Sequence, residues 1–209
     1  MPDFGLEHAA GGLVAGVDEA GRGPLAGPVM AGCVLFFAAP DAELAVMLDD
    51  SKRLSPAQRQ FAHDALWAAA RAGVLRAAVG AASATEIAQR NILGATHLAM
   101  SRAVARLGLR PDLVLVDGNR APPLTVPVRC VIGGDGISLS IAAASILAKV
   151  TRDRCMARLG ARWPAYGFAR HQGYPTAAHR AALAQTGPCA HHRRGFAPVD
   201  AAWAAQGSA

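Results

Sequence analysis

Lysine is nearly missing from this chain. Only Lys52 and Lys149 stand among its 21 basic residues, the rest being arginine. A compact point charge is therefore used at just two places, where elsewhere the planar arginine fork serves. Cysteine is also sparse. Cys33, Cys130, Cys155 and Cys189 are widely spaced with no CxxC pair, which argues against a disulfide framework or a structural zinc site. Cys33 and Cys130 lie in apolar runs and read as packing residues. No apolar run is long enough to span a bilayer, and the N-terminus has no basic region followed by an apolar stretch. The expectation is a soluble, cytoplasmic protein. No P-loop, GxSxG elbow or HExxH is present, so those hydrolase classes have no foothold.

What is present is a globular composition, 52% hydrophobic and 17% charged, in 209 residues. That is enough for one sizeable core. The formal charge of +6 suggests a polyanionic partner. Against this basic background, acidic residues end three apolar runs. Asp18-Glu19 follows Leu13–Val17, Asp117 follows Leu113–Val116, and Asp135 follows Val131-Ile132-Gly133-Gly134. Short apolar runs bounded by turn residues read as buried strands, and ligand sites in open α/β sheets gather at strand carboxyl ends. A lone Asp in such a place is commonly a turn former. Adjacent acids with two further carboxylates converging are costly without a cation, and they suit a hard divalent ion.

Strand patterns cover Val29–Phe37, Val74–Val79, Leu113–Val116 and Val126–Ile132. Helical patterns start at Ser55 with Pro56 and Gln58, and at Ser83 with Glu86, the second region continuing past Asn91 to Leu107. A long helix is expected over Leu139–Leu159 and a last one from Thr176 to Gln185, followed by a basic tail in which His191 and His192 are solvated. Strands interleaved with helices around one early hairpin give an α/β fold with a mixed central sheet. A core over residues 1–160 and a helical or irregular extension over 161–209 are expected.

The motifs resemble those of the ribonuclease HII family. Gly16–Val29, with its Asp18-Glu19-Ala20-Gly21-Arg22-Gly23 centre, is similar to the family signature. Asp50–Leu54, Val116–Asn119, Gly134–Asp153 and the Tyr166–Thr176 region resemble four further blocks, in the family's order. The resemblance implies a ribonuclease H-like sheet with a helical C-terminal part. It implies cleavage of RNA in RNA/DNA hybrids and nicking 5′ of single ribonucleotides in duplex DNA, by a monomer using Mg²⁺ or Mn²⁺. Carried onto this sequence, Asp18, Glu19, Asp117 and Asp135 are the metal-binding carboxylates. Gly21, Arg22 and Gly23 form the ribonucleotide-reading loop, and Tyr174 stacks on the sugar, with Tyr166 as its competitor.

The chemistry of the residues points the same way. Four carboxylates suffice for two ions that also take waters and phosphate oxygens. Lys52, Arg53 and Lys149 are candidates for the duplex backbone, with a carboxylate partner the alternative for Lys149. Ser145, four residues before Lys149 on one helix face, is a further substrate-side candidate, although packing explains it too. His171 reads as structural. Ile137 and Gln172 stand where the family often carries lysine, which predicts weaker duplex affinity. Two other readings compete. A dinucleotide-binding loop would need GxGxxG where this chain has GxGxxxG with two prolines. A catalytically silent hybrid-binding module accounts for the charge but not for the carboxylates.

Overall fold

The computed structural model describes residues 1–51 and 53–206. Helix α1 (Gly5–Ala10) leads into strand β1 (Val14–Ala20), then β2 (Val29–Phe36), α2 (Ala42–Val46), α3 (Pro56–Arg71) and β3 (Leu75–Ala82). Helix α4 (Ala84–Ala105), β4 (Leu113–Asp117), β5 (Val128–Val131) and the long α5 (Leu139–Arg162) follow. The C-terminal part is α6 (Phe168–His171), α7 (Ala177–Thr186) and α8 (Ala197–Gln206). The sheet order is β3-β2-β1-β4-β5. Strands β1, β2 and β3 pair antiparallel, while β1–β4 and β4–β5 are parallel. The expected mixed α/β sheet is therefore present, extended by one further antiparallel strand beyond the hairpin.

The two faces of the sheet follow from strand alternation. Ala15, Val17, Ala31, Cys33, Val114 and Val116 meet the α4 side chains Ala95, Ala99 and Ala103 in one core. Val34, Phe36 and Leu75 meet Leu66 of α3 and Ala143, Ala144 and Leu147 of α5 in the other. Helix α5 crosses the sheet very closely, because the strand residues under it are Gly16 and Gly32. A Cβ on Gly16 would stand 2.2 Å from the Ser140 carbonyl carbon, and one on Gly32 2.2 Å from the Ala144 oxygen.

The helix starts are written locally. Ser55–Gln58 and Ser83–Glu86 form complete capping boxes, and Thr176 caps α7. Helix α5 opens on Ser138, and its first turn is held by the buried Glu7 of α1. Glu7 Oε1 accepts from Ser138 Oγ at 2.6 Å, Ser140 Oγ at 2.5 Å and Ser140 N at 2.9 Å. A carboxylate there is favoured by the helix dipole.

Three expectations are corrected. Helix α4 does not run unbroken, because Asn91 takes φ 56°, ψ 174° and its side chain accepts from the Leu93 and Gly94 amides, capping a new helix. The basic tail is not solvated at His192, which is 4% exposed. That tail also ends in a helix, α8. No helix among the described residues is long and apolar enough to cross a membrane.

Candidate active site

Asp18 lies in β1 with the parity of Gly16, so it points to the α5 face, and Glu19 points to the α4 face. Asp117 ends β4 beside them. With Gly21, Arg22, Gly23, Ser145, Lys149 and Tyr174, these three acids line a cavity of about 290 Å³. A second cavity, about 380 Å³, opens on the other side of Glu19, Arg22 and Asp117, toward His97, Asn119 and Arg120. A further cavity, about 600 Å³, lies between α7 and α8 and has no acidic lining residue, so it carries none of this chemistry.

Asp135 sits not on the strand end but in a 3-10 turn, Gly134–Gly136, between β5 and α5. It is buried and lines neither cavity near Asp18. The turn is tied to the site through Asp117, whose Oδ1 accepts from Gly134 N at 2.7 Å. Among the described residues, no three His, Cys, Asp or Glu side chains converge at metal-binding distance. Asp18, Glu19 and Asp117 border an open space and do not close a cage.

The electrostatics are those of carboxylates crowded together away from water. Asp18 is 4% exposed, and its carboxyl is driven well above the usual range, first by burial, then by the Glu19 and Asp117 charges. The Ser145 hydroxyl and the Glu19 amide, 2.6 Å from Asp18 Oδ1, pull the other way. Burial also raises Glu19, opposed by Arg22, whose Nη1 is 3.3 Å from Glu19 Oε1. Lys149 lines the cavity and its Nζ pairs with Asp153 Oδ1 at 2.8 Å. An all-carboxylate donor set, buried and mutually repelling, fits a hard divalent cation. Mg²⁺ takes only one or two protein carboxylates and keeps several waters, so an open arrangement suits it better than a tight cluster.

The remaining predicted residues fall as follows. Ser145 stands beneath Asp18 with its hydroxyl 2.9 Å from that of Ser51, so it supports the carboxylate. Arg53 is outside the cavity, 3.3 Å from Asp49. Lys52 lies outside the described residues. Tyr174 is 44% exposed beside Gly23, while Tyr166 is buried with its hydroxyl on the Gly187 carbonyl. Tyr174 is thus the aromatic that reaches the cavity.

Sequence reasoning missed what stands behind the loop. Gly21 takes φ +95°, and a Cβ there would strike Arg152 Nε. Arg152 and Arg193 are both buried under the Gly21–Pro28 loop. The segment before Arg193 reaches Tyr174 through a chain of neutral histidines. The Cys189 amide donates to His192 Nδ1 at 3.0 Å, so His192 Nε2 bears the proton and donates to His179 Nε2 at 3.1 Å. His179 Nδ1 then donates to the Tyr174 carbonyl at 2.9 Å. His171 is structural, bridging the Tyr166 carbonyl and the Gly173 amide. The one available signal was two adjacent histidines followed by two arginines in a segment otherwise poor in polar residues.

The family model described as Ribonuclease HII matches residues 15–199. A Ribonuclease HII from Gluconobacter oxydans is 58% identical over 199 residues, covering 95% of each chain. Another, from Granulibacter bethesdensis, is 59% identical over 95% of this chain and 90% of its own. The crystal structure of ribonuclease H2 from Pyrococcus horikoshii superposes with a TM-score of 0.74 at 26% identity, covering 91% of this chain and 96% of that one.

Proposed function

The chain belongs to the ribonuclease HII family and is a phosphodiester hydrolase of the ribonuclease H type; from this we propose that it nicks duplex DNA 5′ of single embedded ribonucleotides, besides cutting the RNA strand of RNA/DNA hybrids. The observation that carries the reading is the meeting, in one cavity, of Asp18, Glu19 and Asp117 with the Gly21–Gly23 loop and Tyr174. Acids serve hydrolysis, and a glycine-flanked loop with an aromatic serves recognition of a sugar.

In this reading Asp18, Glu19, Asp117 and Asp135 hold a pair of Mg²⁺ or Mn²⁺ ions. When bound, such a pair supplies an activated water and stabilises the leaving oxygen, giving 5′-phosphate and 3′-hydroxyl ends. Asp117 has a second task, holding the turn that carries Asp135 through the Gly134 amide. Ser145 and the Glu19 amide orient the Asp18 carboxylate. Gly21 and Gly23 bare the backbone, so a 2′-hydroxyl can reach its amides, and this group separates RNA from DNA. Arg22 is half-exposed and can swing from Glu19 to a phosphate. Tyr174 stacks on the sugar at the junction, and Lys52, Arg53 and Lys149 contribute charge toward the duplex backbone. The division into a core of 1–160 and an extension of 161–209 that completes the cleft belongs to the same reading.

The test is an end-labelled duplex with one ribonucleotide, incubated in Mg²⁺, in Mn²⁺ and in chelator. A metal-dependent nick on the 5′ side of the ribonucleotide, with all-DNA duplex untouched, is the expected result. Cleavage of long hybrids alone would remove the junction roles of Arg22 and Tyr174. Cleavage of neither substrate would leave a silent binder.

A further inference from the structure

A fully buried arginine usually keeps company with a carboxylate. Arg193 is 0% exposed and what it holds is backbone. Its Nε donates to the Gly27 carbonyl at 2.8 Å. Its Nη1 donates to Arg22 at 3.0 Å and Pro24 at 2.7 Å, and its Nη2 to Gly21 at 2.7 Å and Pro28 at 3.0 Å. A guanidinium has five N–H donors in a planar fork, and here all of them go to carbonyls of one loop. The main chain adds to the grip. Arg193 N donates to the Leu25 carbonyl at 2.8 Å and Gly27 N to that of His191 at 2.9 Å, as part of a short antiparallel bridge between Ala26 and His192. Arg152 supports the same loop from α5, donating to Pro28 at 3.0 Å and Ala26 at 3.2 Å.

This grip fixes which way the loop's amides point. The C=O and N–H of a trans peptide point in opposite directions, and the chain has no cis bond. With the Gly21 and Arg22 carbonyls turned inward to Arg193, the N–H groups of Arg22 and Gly23 are turned outward. Among the described residues neither N–H has a backbone acceptor. Both residues line the cavity that holds Asp18 and Tyr174. Two adjacent outward amides make a small anion- and oxygen-binding nest, and two buried cations behind it strengthen its positive field.

We infer that Arg193 is the positioning residue for ribose recognition: it sets the Arg22 and Gly23 amides toward the sugar oxygen without touching substrate itself. The inference rests on the assignment of that loop to the ribonucleotide. Lysine cannot replace the arginine, because three donors radiating from one nitrogen do not span carbonyls on both sides of a fork.

The experiment measures equilibrium binding by fluorescence anisotropy in chelator, where nothing is cut. Two probes are compared, an all-DNA duplex and the same duplex with one ribonucleotide. Each is titrated with the full-length wild type, with Arg193→Lys, and with Arg193→Ala with and without added methylguanidinium. Wild type is expected to favour the ribonucleotide by about tenfold, the worth of one or two net hydrogen bonds. Arg193→Lys is expected to bring that ratio within about twofold of unity, and methylguanidinium to restore it in Arg193→Ala. A variant that merely folds less well loses affinity for both probes equally, leaving the ratio unchanged. An Arg193→Lys protein that keeps the wild-type ratio overturns the role of Arg193 alone. A wild type without preference overturns the loop assignment, and this inference with it.

Discussion

Gly32 stands opposite Asp18 in the β1–β2 ladder, directly beneath the α5 backbone at Ala144. Gly32→Ala would put a methyl 2.2 Å from the Ala144 oxygen, 2.9 Å from its carbonyl carbon and 3.1 Å from its Cα. Ordinary contact begins near 3.4 Å, so the helix must retreat by about 1.2 Å. No flexible side chain is available to absorb the overlap. Overpacking of this kind costs about 1–3 kcal/mol, and the upper end applies where the obstacle is backbone. For a chain of this size about 3 kcal/mol lowers Tm by roughly 6–12 °C. The next residue on the helix is Ser145, which orients Asp18, and Lys149 lies one turn on. A shift of about 1 Å in groups that position a reacting centre costs about 100-fold in turnover. Differential scanning calorimetry and cleavage of a ribonucleotide-containing duplex below the lowered Tm are the two assays. A Gly32→Ala protein whose Tm is unchanged and whose turnover is near that of wild type would refute the close-crossing argument.

Three other outcomes are expected. Asp18 holds its proton more tightly in the fold than in the unfolded chain, so the metal-free protein loses stability as pH rises through and above the carboxylate range. Asp18→Asn should remove that loss, raising the Tm in chelator at about pH 8 more than at about pH 3, below the ordinary carboxylate range, while abolishing turnover; an unchanged pH dependence would count against it. His192 behaves in the opposite sense. Burial, then His179, pushes it from 6.5 down to about 4, so the unfolded chain binds the extra proton and stability rises with pH across that interval. The span is on the order of 3 kcal/mol, and urea midpoints of His192→Gln should show a flatter pH dependence than wild type; equal slopes would refute it. Ile137 is 45% exposed and closes the 3-10 turn that carries Asp135, and Ile137→Lys should steepen the slope of log affinity against log salt by about 0.9; an unaltered slope would show that no phosphate comes near.

The parts of this fold legible in the sequence are those encoded within a few residues. Ser55 with Gln58 and Ser83 with Glu86 announced their helices because a capping box is complete in four residues. The strands carrying Asp18-Glu19 and Asp117 were legible as apolar runs, and the acids at their ends as a candidate site. Asn91 could be read as a cap, but the surrounding apolar pattern is continuous and masked the break. Glu7 could not be read at all, since its partners Ser138 and Ser140 lie more than 130 residues away. The same holds for Arg193, whose meaning resides in carbonyls between 165 and 172 residues upstream, and carbonyls leave no mark on a sequence. His192 looked solvated because its run is polar, whereas its pairing with His179 and the Cys189 amide satisfies the ring inside the protein.

The long reach of the Arg193 clamp has a bearing on synthesis. A growing chain has made all four carboxylates once residue 135 is added, yet Arg193, which holds the Gly21–Pro28 loop, comes 58 positions later. At roughly 5–20 residues per second, that leaves an interval of about 3–12 s in which the acids exist and the loop lacks its five Arg193 hydrogen bonds. On the proposed reading, the nuclease thus acquires its hydrolytic groups before its discrimination. On that reading, the segment bearing Arg193 settles which sugar the site accepts only after the acids are in place.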